Sequence, residues 1–277
     1  MTFPLTAIIS DLHGNWPALQ VALKDAFARA VERVVCLGDV VGYGSKPRQC
    51  LDLVMKLIDP TCPESRGMQA GFCLQGNHEY ALLTSAEDFN PNARAAIEWT
   101  RDEVGRGVER ELSYIYWDFL AGLEPVHVEE GAMYAHGSPR DPVREYLLPR
   151  DSRDVAKMRA NFECMKPHAD RHAYVCFVGH SHVPGVFYED GRFYRPKDSE
   201  GPYDLGDLAH LEHNHAIVNV GSVGQPRDGD ARLSYVVFDG RNVTFLRLEY
   251  PVEETQAEIR AVPELPNYLA DRLGVGQ

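Results

Sequence analysis

Residues 7 to 13, Ala7-Ile8-Ile9-Ser10-Asp11-Leu12-His13, carry the reading that decides the fold. A short apolar run ends abruptly in a carboxylate and an imidazole. The same pattern recurs four times. Val34-Val35-Cys36-Leu37 leads into Gly38-Asp39, and Phe72-Cys73-Leu74-Gln75 into Gly76-Asn77-His78-Glu79. Ala132-Met133-Tyr134-Ala135 leads into His136-Gly137, and Val175-Cys176-Phe177-Val178 into Gly179-His180-Ser181-His182. Short apolar runs rich in β-branched residues and bounded by glycine read as buried strands. Sheets of α/β proteins gather their chemistry at strand ends. The pattern therefore predicts one polar site assembled from five strand-to-loop junctions.

Helical patterns alternate with these strands, so the class is α/β. Trp16 to Ala30 is amphipathic, with Pro17 in its first turn and Asn15 as its cap. Pro47 to Ile58 is a second helix. Asn92 to Leu120 reads as largely helical with a break at Gly105 and Gly107, and Arg150 to Phe162 as a shorter helix. From Ala173 the chain turns β-rich, with strands expected at 174–178, 186–188, 192–194, 216–220, 233–238 and 243–249. Asp190-Gly191 and Asp239-Gly240 are hairpin turn signals. The tail from about Val252 is helical and interrupted by prolines. No composition shift marks a linker, so residues 1–277 are expected to form a single domain.

The chain is 277 residues long, 44% hydrophobic and 25% charged, which allows a sizeable core. No apolar run reaches the roughly 18 residues that span a bilayer. The start lacks a basic region and a long apolar stretch, so a cytoplasmic protein is expected. The formal net charge of −13 disfavours long nucleic acid as a partner. A small phosphate ester remains compatible if cations gather in the cleft. The six cysteines form no C-x-x-C pair and read as structural thiols. His127, His168 and His172 read as ordinary hydrogen-bonded or surface residues. His210, His213 and His215 are clustered but fall in a polar stretch expected to be a solvated loop.

Hydrolysis of a phosphate ester is opposed by its own anionic oxygens. Two divalent cations about 3.5–4 Å apart clamp those oxygens and generate hydroxide near neutral pH. Asp11, His13, Asp39, Asn77, His136, His180 and His182 are residue types able to hold such a pair. Asp-x-His, Gly-Asp, Gly-Asn-His-Glu, His-Gly and Gly-His-Ser-His, in that order, closely resemble the motifs of the calcineurin-like metallophosphoesterase superfamily. The motifs span Ile8 to His182, and the general layout extends to Ala216-Val220 and the loop from Gly221 to Arg227.

The resemblance implies a four-layer α/β/β/α sandwich of two mixed sheets flanked by helices. It implies that Asp11, His13, Asp39 and His182 hold one metal, and that Asp39, Asn77, His136 and His180 hold the other, with Asp39 bridging. It further implies attack by a metal-bridging hydroxide, with His78 protonating the leaving alkoxide or stabilising its charge. Mixed carboxylate, amide and imidazole ligands suit Mn²⁺, Fe or Zn²⁺ better than Ca²⁺ or Mg²⁺.

The protein serine/threonine phosphatase branch carries Gly-Asp-x-Val-Asp-Arg-Gly at the second motif. Here Gly42 and Tyr43 replace its second Asp and its Arg. The first change removes a partner for His78, the second a phosphate-gripping arginine. The chain looks instead like small bacterial and archaeal predicted phosphodiesterases or phosphatases. Phosphate contacts are then expected from Arg140, Arg144 and Arg227, since arginine favours bidentate phosphate binding. Tyr43 and Tyr146 offer rings for a base or aryl group. The expected activity is hydrolysis of a small phosphodiester, phosphomonoester or nucleotide, by a monomer or homodimer. A serine/threonine phosphatase, a non-catalytic scaffold that kept the fold and a nuclease acting on short single strands are the competing readings.

Overall fold

The computed structural model describes residues 3–106, 109–166, 173–196, 201–206 and 215–277. Among these residues, the strand runs quoted above and two further short strands form two mixed sheets of six strands each. In the first, β1 (Thr6–Ile9), β2 (Arg33–Cys36) and β3 (Phe72–Cys73) run parallel. The sheet continues antiparallel through β11 (Leu233–Phe238), β12 (Asn242–Leu248) and β9 (Tyr203–Asp204). In the second, β5 (Ala132–Ala135), β6 (Val175–Val178) and β10 (Ala216–Asn219) run parallel. Antiparallel β4 (Val126–Glu129) flanks them on one side, and β7 (Gly185–Tyr188) with β8 (Phe193–Tyr194) on the other.

The continuous apolar runs follow from burial on both faces. On β1, Ile8 points between the sheets, while Ala7 and Ile9 face the helices. On β6, Val175 and Phe177 point inward, while Cys176 and Val178 face outward. Helices α1 (Trp16–Ala28), α2 (Pro47–Ile58) and α5 (Arg110–Gly122) cover the first sheet, burying Leu19, Leu51 and Leu120. Helix α6 (Val155–Met165) covers the second with Met158 and Phe162. The result is the expected α/β/β/α sandwich. Each fully buried Ile, Val or Phe contributes about 1.5–3 kcal/mol.

Some boundaries differ from the sequence reading. The expected helix 92–120 is two helices, α4 (Pro91–Gly105) and α5, and Gly107 lies outside the described residues. The expected helix 150–162 is a 3₁₀ turn, Pro149–Arg153, followed by α6. The break occurs because the Asp154 side chain accepts from Lys157 N and caps a new helix. Helix α3 (Asn77–Leu83) and strands β4 and β9 were not anticipated, because each is short or weakly periodic. The tail folds as α7 (Val252–Arg260), α8 (Asn267–Asp271) and a 3₁₀ turn, Arg272–Val275.

The remaining histidines sort by packing. His127 bonds Glu129 at 3.2 Å and lies against Phe72. His215 is not in a solvated loop. It is buried at the start of β10 with Nδ1 3.0 Å from Glu189. His168, His172, His210 and His213 lie outside the described residues. All six thiols are free, and Cys36, Cys50, Cys73 and Cys176 are buried. Among the described residues, no helix is long and apolar enough to cross a membrane.

Candidate metal centre and its mouth

The carboxyl ends of β1, β2, β3, β5 and β6 deliver eight buried or half-buried polar side chains to one place. Asp11 and His13 leave β1, Asp39 leaves β2, and Asn77 and His78 open α3 beyond β3. His136 leaves β5, and His180 and His182 leave β6. The local backbone is unusual. Asp11, His13, Asp39, His180 and His182 all have positive φ, between 47° and 59°. Non-glycine residues in this region cost free energy and cluster at functional sites. Here the conformation turns each side chain back over the strand end it follows. Main-chain bonds lock the turns together, with His13 N donating to Asp39 O at 2.9 Å and Gly14 N to Val40 O at 2.9 Å.

Each aspartate is half anchored and half aimed. Asp11 Oδ2 accepts from His180 N at 3.0 Å, which leaves Oδ1 3.2 Å from His182 Nε2 and 3.9 Å from His13 Nε2. Asp39 Oδ1 accepts from His78 N at 2.9 Å. Its Oδ2 then lies 3.3 Å from His136 Nε2, 3.7 Å from His13 Nε2 and 4.0 Å from His78 Nε2. Asp39 Oδ2 thus stands between two donor groups: Asp11, His13 and His182 on one side, Asn77, His136 and His180 on the other.

The imidazoles are aimed in the same manner. The outer nitrogens of His13, His136 and His182 meet the carbonyls of Val41, Leu37 and Gln225, while His180 Nε2 meets Arg144 O at 3.1 Å. A ring N–H given to a carbonyl leaves a lone pair on the inward nitrogen. His13 Nε2 and His182 Nε2 face each other at 3.2 Å, and His136 Nε2 and His180 Nδ1 at 3.1 Å. Facing lone pairs at that distance repel unless a proton or a metal cation joins them. Asp11 Oδ1 is buried without a hydrogen-bond donor. Three groupings, Asp11/His13/His182, Asp39/His136/His180 and His13/Asp39/His78, have the compactness of cation sites. The donor chemistry fits two divalent ions of intermediate softness.

Electrostatics agree. Burial holds His13 and His180 below the usual imidazole range, His180 at about 3, where His136 adds to the effect. Burial and the nearby Arg227 charge depress His182. These rings are neutral at pH 7. His136 goes the other way: burial disfavours its charge, but Asp39 outweighs it and raises the group to about 9. For Asp39 burial favours the neutral acid, yet His136 and His78 hold the carboxyl well below its usual range. His78 is pushed down to about 4 by burial, only partly offset by Asp39.

Glu79 was quoted in its motif without a role, and the structure gives it one. Its buried carboxylate accepts from Asp39 N at 2.8 Å, Gly76 N at 2.9 Å and Val41 N at 3.2 Å, pinning the Gly38-Asp39 turn to the start of α3. Burial, then the Asp39 charge, raises it to about 7. Its place three residues after Gly76 is the only sequence signal. Asn219 and Ser222 brace the other side. Asn219 Nδ2 donates to Gly179 O at 2.7 Å, and Ser222 Oγ to Asp11 O at 2.9 Å.

His78 is held by packing alone. Its ring meets Tyr43, His13 and Phe89 edge-on, with centroids 4.5, 4.8 and 5.3 Å away. Its Nδ1 is buried without a partner. Gly42, at φ +90°, lies so close that a Cβ there would sit 2.1 Å from His78 Nδ1. The ring occupies the space that an aspartate at position 42 would need.

A cavity of about 250 Å³ opens beside the cluster, lined by Asn77, Tyr80, Phe89, Arg144 and Tyr146 among others. Arg144 lies over Tyr80, 4.9 Å from its centroid, and Tyr146 stacks on His180 at 3.7 Å. Arg227 lies over the buried Tyr43 ring at 5.7 Å and bonds Gln225 Oε1. Arg140 instead pairs with Glu145, which also accepts from Ser138 Oγ at 2.7 Å and Asn161 Nδ2 at 3.0 Å. That cluster folds the loop carrying Arg144 and Tyr146.

A description of the calcineurin-like phosphoesterase family matches residues 5–184, and this chain belongs to that family. It is 31% identical to the uncharacterized protein MJ0912 of Methanocaldococcus jannaschii over the full length of both chains. The crystal structure of a metallophosphoesterase from Sphaerobacter thermophilus is 35% identical, with a TM-score of 0.74 over 99% of this chain and 100% of that one. The hypothetical protein PH1004 from Pyrococcus horikoshii OT3 shares the fold, at 18% identity and a TM-score of 0.72 over 99% and 98%. The family is generally dependent on two metal ions, and the His and Asp groups here are able to hold them.

Proposed function

We propose that the protein hydrolyses a small phosphate ester whose leaving group is an aryl or nucleoside moiety. The observation that carries this reading is the position of Asp39 Oδ2 between two inward-facing donor groups, at the edge of an aromatic cavity. In this reading Asp11, His13, Asp39 and His182 hold one divalent ion, and Asp39, Asn77, His136 and His180 the other. Bound there, the ions supply Lewis acidity toward the phosphoryl oxygens and lower the pKa of water. Manganese, iron or zinc suits the donors.

The chain's own side chains do the remainder. Asp39 balances cation charge and the imidazoles keep their aim without moving, because their outer atoms are already tied to the backbone. His78, neutral at pH 7, offers an N–H from Nε2 to the leaving oxygen; positioned donors of this kind contribute typically 10²–10⁴-fold. Arg144 and Arg227 grip non-bridging phosphate oxygens, and Tyr80, Phe89 and Tyr146 shelter the leaving group. Tyr43 supports Arg227 and His78 with its ring. Arg140 serves the loop through Glu145. A serine/threonine phosphatase is disfavoured, because His78 Nδ1 has no carboxylate partner and Gly42 has no room for one.

The test is hydrolysis of bis(p-nitrophenyl) phosphate and p-nitrophenyl phosphate by metal-stripped protein after addition of Mn²⁺, Fe²⁺, Zn²⁺, Ni²⁺ or Mg²⁺. Turnover is expected to return with metal and to fall at least about 10³-fold in Asp39→Ala, the loss of several kcal/mol of charge stabilisation. Diester cleavage directs the substrate search to phosphodiesters, and monoester-only cleavage to phosphatase substrates. No turnover with any metal, despite two bound ions, overturns the enzymatic reading in favour of a scaffold.

A further inference from the structure

The cavity beside the candidate metal centre borders Asn77 and His180, and it also borders the loop between α3 and α4 through Asp88 and Asn90. Flat groups form much of its wall. Tyr80, Phe89 and Tyr146 supply rings, and the Arg144 guanidinium lies over the Tyr80 ring, 4.9 Å from its centroid. The Phe89 ring also meets His78 edge-on at 5.3 Å, so the aromatic wall begins at the candidate proton donor. Aromatic rings and guanidinium planes stack on nucleobases. The Arg144 charge disfavours the other usual occupant of an aromatic cage, a quaternary ammonium.

Hydrogen bonds fix the loop that closes this cavity. Arg94 reaches back from α4, where its Nε donates to Ala86 O at 3.2 Å and its Nη2 to Glu87 O. Phe89 N donates to Ala86 O at 3.1 Å. Asn90 Oδ1 accepts from Ala93 N at 3.0 Å and caps α4. That cap leaves the Nδ2 donors of Asn90 for a ligand. Among the described residues, neither Asn90 Nδ2 nor the Asp88 carboxylate has a partner. One anchored loop thus offers the cavity a pair of acceptor oxygens and an amide donor.

We infer that the cavity binds the base of a guanine nucleotide, with Asp88 and Asn90 reading its edge and the aromatic wall stacking on its face. Guanine alone among the common bases presents two adjacent donors, N1–H and N2–H, next to an acceptor, O6. A carboxylate takes both donors with its two oxygens, and the Asn90 amide donates to O6. Adenine sets an acceptor, N1, against the carboxylate. The inference rests on the phosphoesterase reading, since it takes the cavity to hold the leaving nucleoside.

Binding and turnover are tested separately. Guanosine, inosine and adenosine carry no phosphate, so their affinity is independent of hydrolysis. Each is titrated into zinc-loaded wild-type protein and into Asp88→Asn and Asn90→Asp variants, with binding read by saturation-transfer NMR. Asp88 is exposed and Asn90→Asp keeps a capping oxygen, so both variants are expected to melt as the wild type does. Guanosine is expected to bind about tenfold more tightly than inosine, which lacks the N2 amine, the worth of one charge-assisted hydrogen bond. Adenosine should bind more weakly than either. Asp88→Asn should erase the preference for guanosine over inosine. Asn90→Asp should weaken both about tenfold through O6. Release of nucleoside from the corresponding 5′-phosphates and their methyl esters is then followed by chromatography, and kcat/KM should follow the same order. Equal affinity for guanosine and adenosine in the wild type, or a guanosine preference unchanged in both variants, overturns the base site. Hydrolysis without base preference overturns it as well and leaves the phosphoesterase reading standing. An intact guanosine preference with no hydrolysis under any metal overturns the enzymatic reading alone.

Discussion

The candidate metal centre and its mouth are built on opposite terms. In the centre, the aspartates and the ligand-type imidazoles are aimed by the main chain. Imidazoles lean on carbonyls, each aspartate has one oxygen on a backbone N–H, and five of the seven candidate ligands hold positive φ. At the mouth, side chains rest on one another: Arg144 on Tyr80, Arg227 and Arg272 on Tyr43, Tyr146 on His180. Rotamers rather than backbone set the mouth's geometry. Cation placement demands tolerance of a fraction of an ångström, which backbone anchoring supplies. Substrate recognition tolerates softer contacts, and these are free to vary without dismantling the chemistry.

His78 belongs to both regions, and the sharpest way to break the contrast is through Gly42. Gly42→Ala puts a Cβ on the His78 ring and strains a backbone with φ +90°. Its kcat is expected to fall about 10²–10³-fold, the range of a mispositioned proton donor, with metal content by mass spectrometry unchanged. Loss of metal instead would mean that Gly42 belongs to the centre. Next in size is Glu79→Gln, which weakens three bonds to the Asp39 and α3 turns. Metal affinity should fall about 10–100-fold, read by competition with a chelator, while KM for saturating metal changes little.

The smallest effect is expected at the base of the mouth. Burial opposes the charge of Glu145, but bonds from Arg140, Asn161 and Ser138 outweigh it and lower the group from 4.5 to about 2. A depressed carboxyl contributes stability above pH 4.5 that is lost as pH falls toward 2. Glu145→Gln should therefore cost about 1–2 kcal/mol at pH 7 by urea denaturation and nothing near pH 2. Its kcat/KM should fall through Arg144 and Tyr146, with metal stoichiometry intact.

Legibility in the sequence follows the same division. The strand runs and the polar residues that end them are local, so the sandwich and the candidate ligands can be read from adjacent positions. Glu79 is three residues from a recognised motif, yet its work lies in bonds to Asp39 and Val41 about 40 residues away. Arg272 has no local signature, because only the packing of α7 and α8 on Tyr43 brings it to the site. Helix α3 is too short for periodicity to reveal it. Gly42 was readable as a missing aspartate, whereas the ring filling its place was visible only in three dimensions.

The positive φ values have a consequence for the protein's thermal behaviour. Residues held there cost of order 1 kcal/mol each or more, and glycine at the same positions would carry no such penalty. Selection for heat resistance alone would therefore erode Asp11, His13, Asp39, His180 and His182 toward glycine, raising the melting temperature as metal affinity vanished. A bound cation opposes that drift by making the strained form the more stable one whenever metal is present.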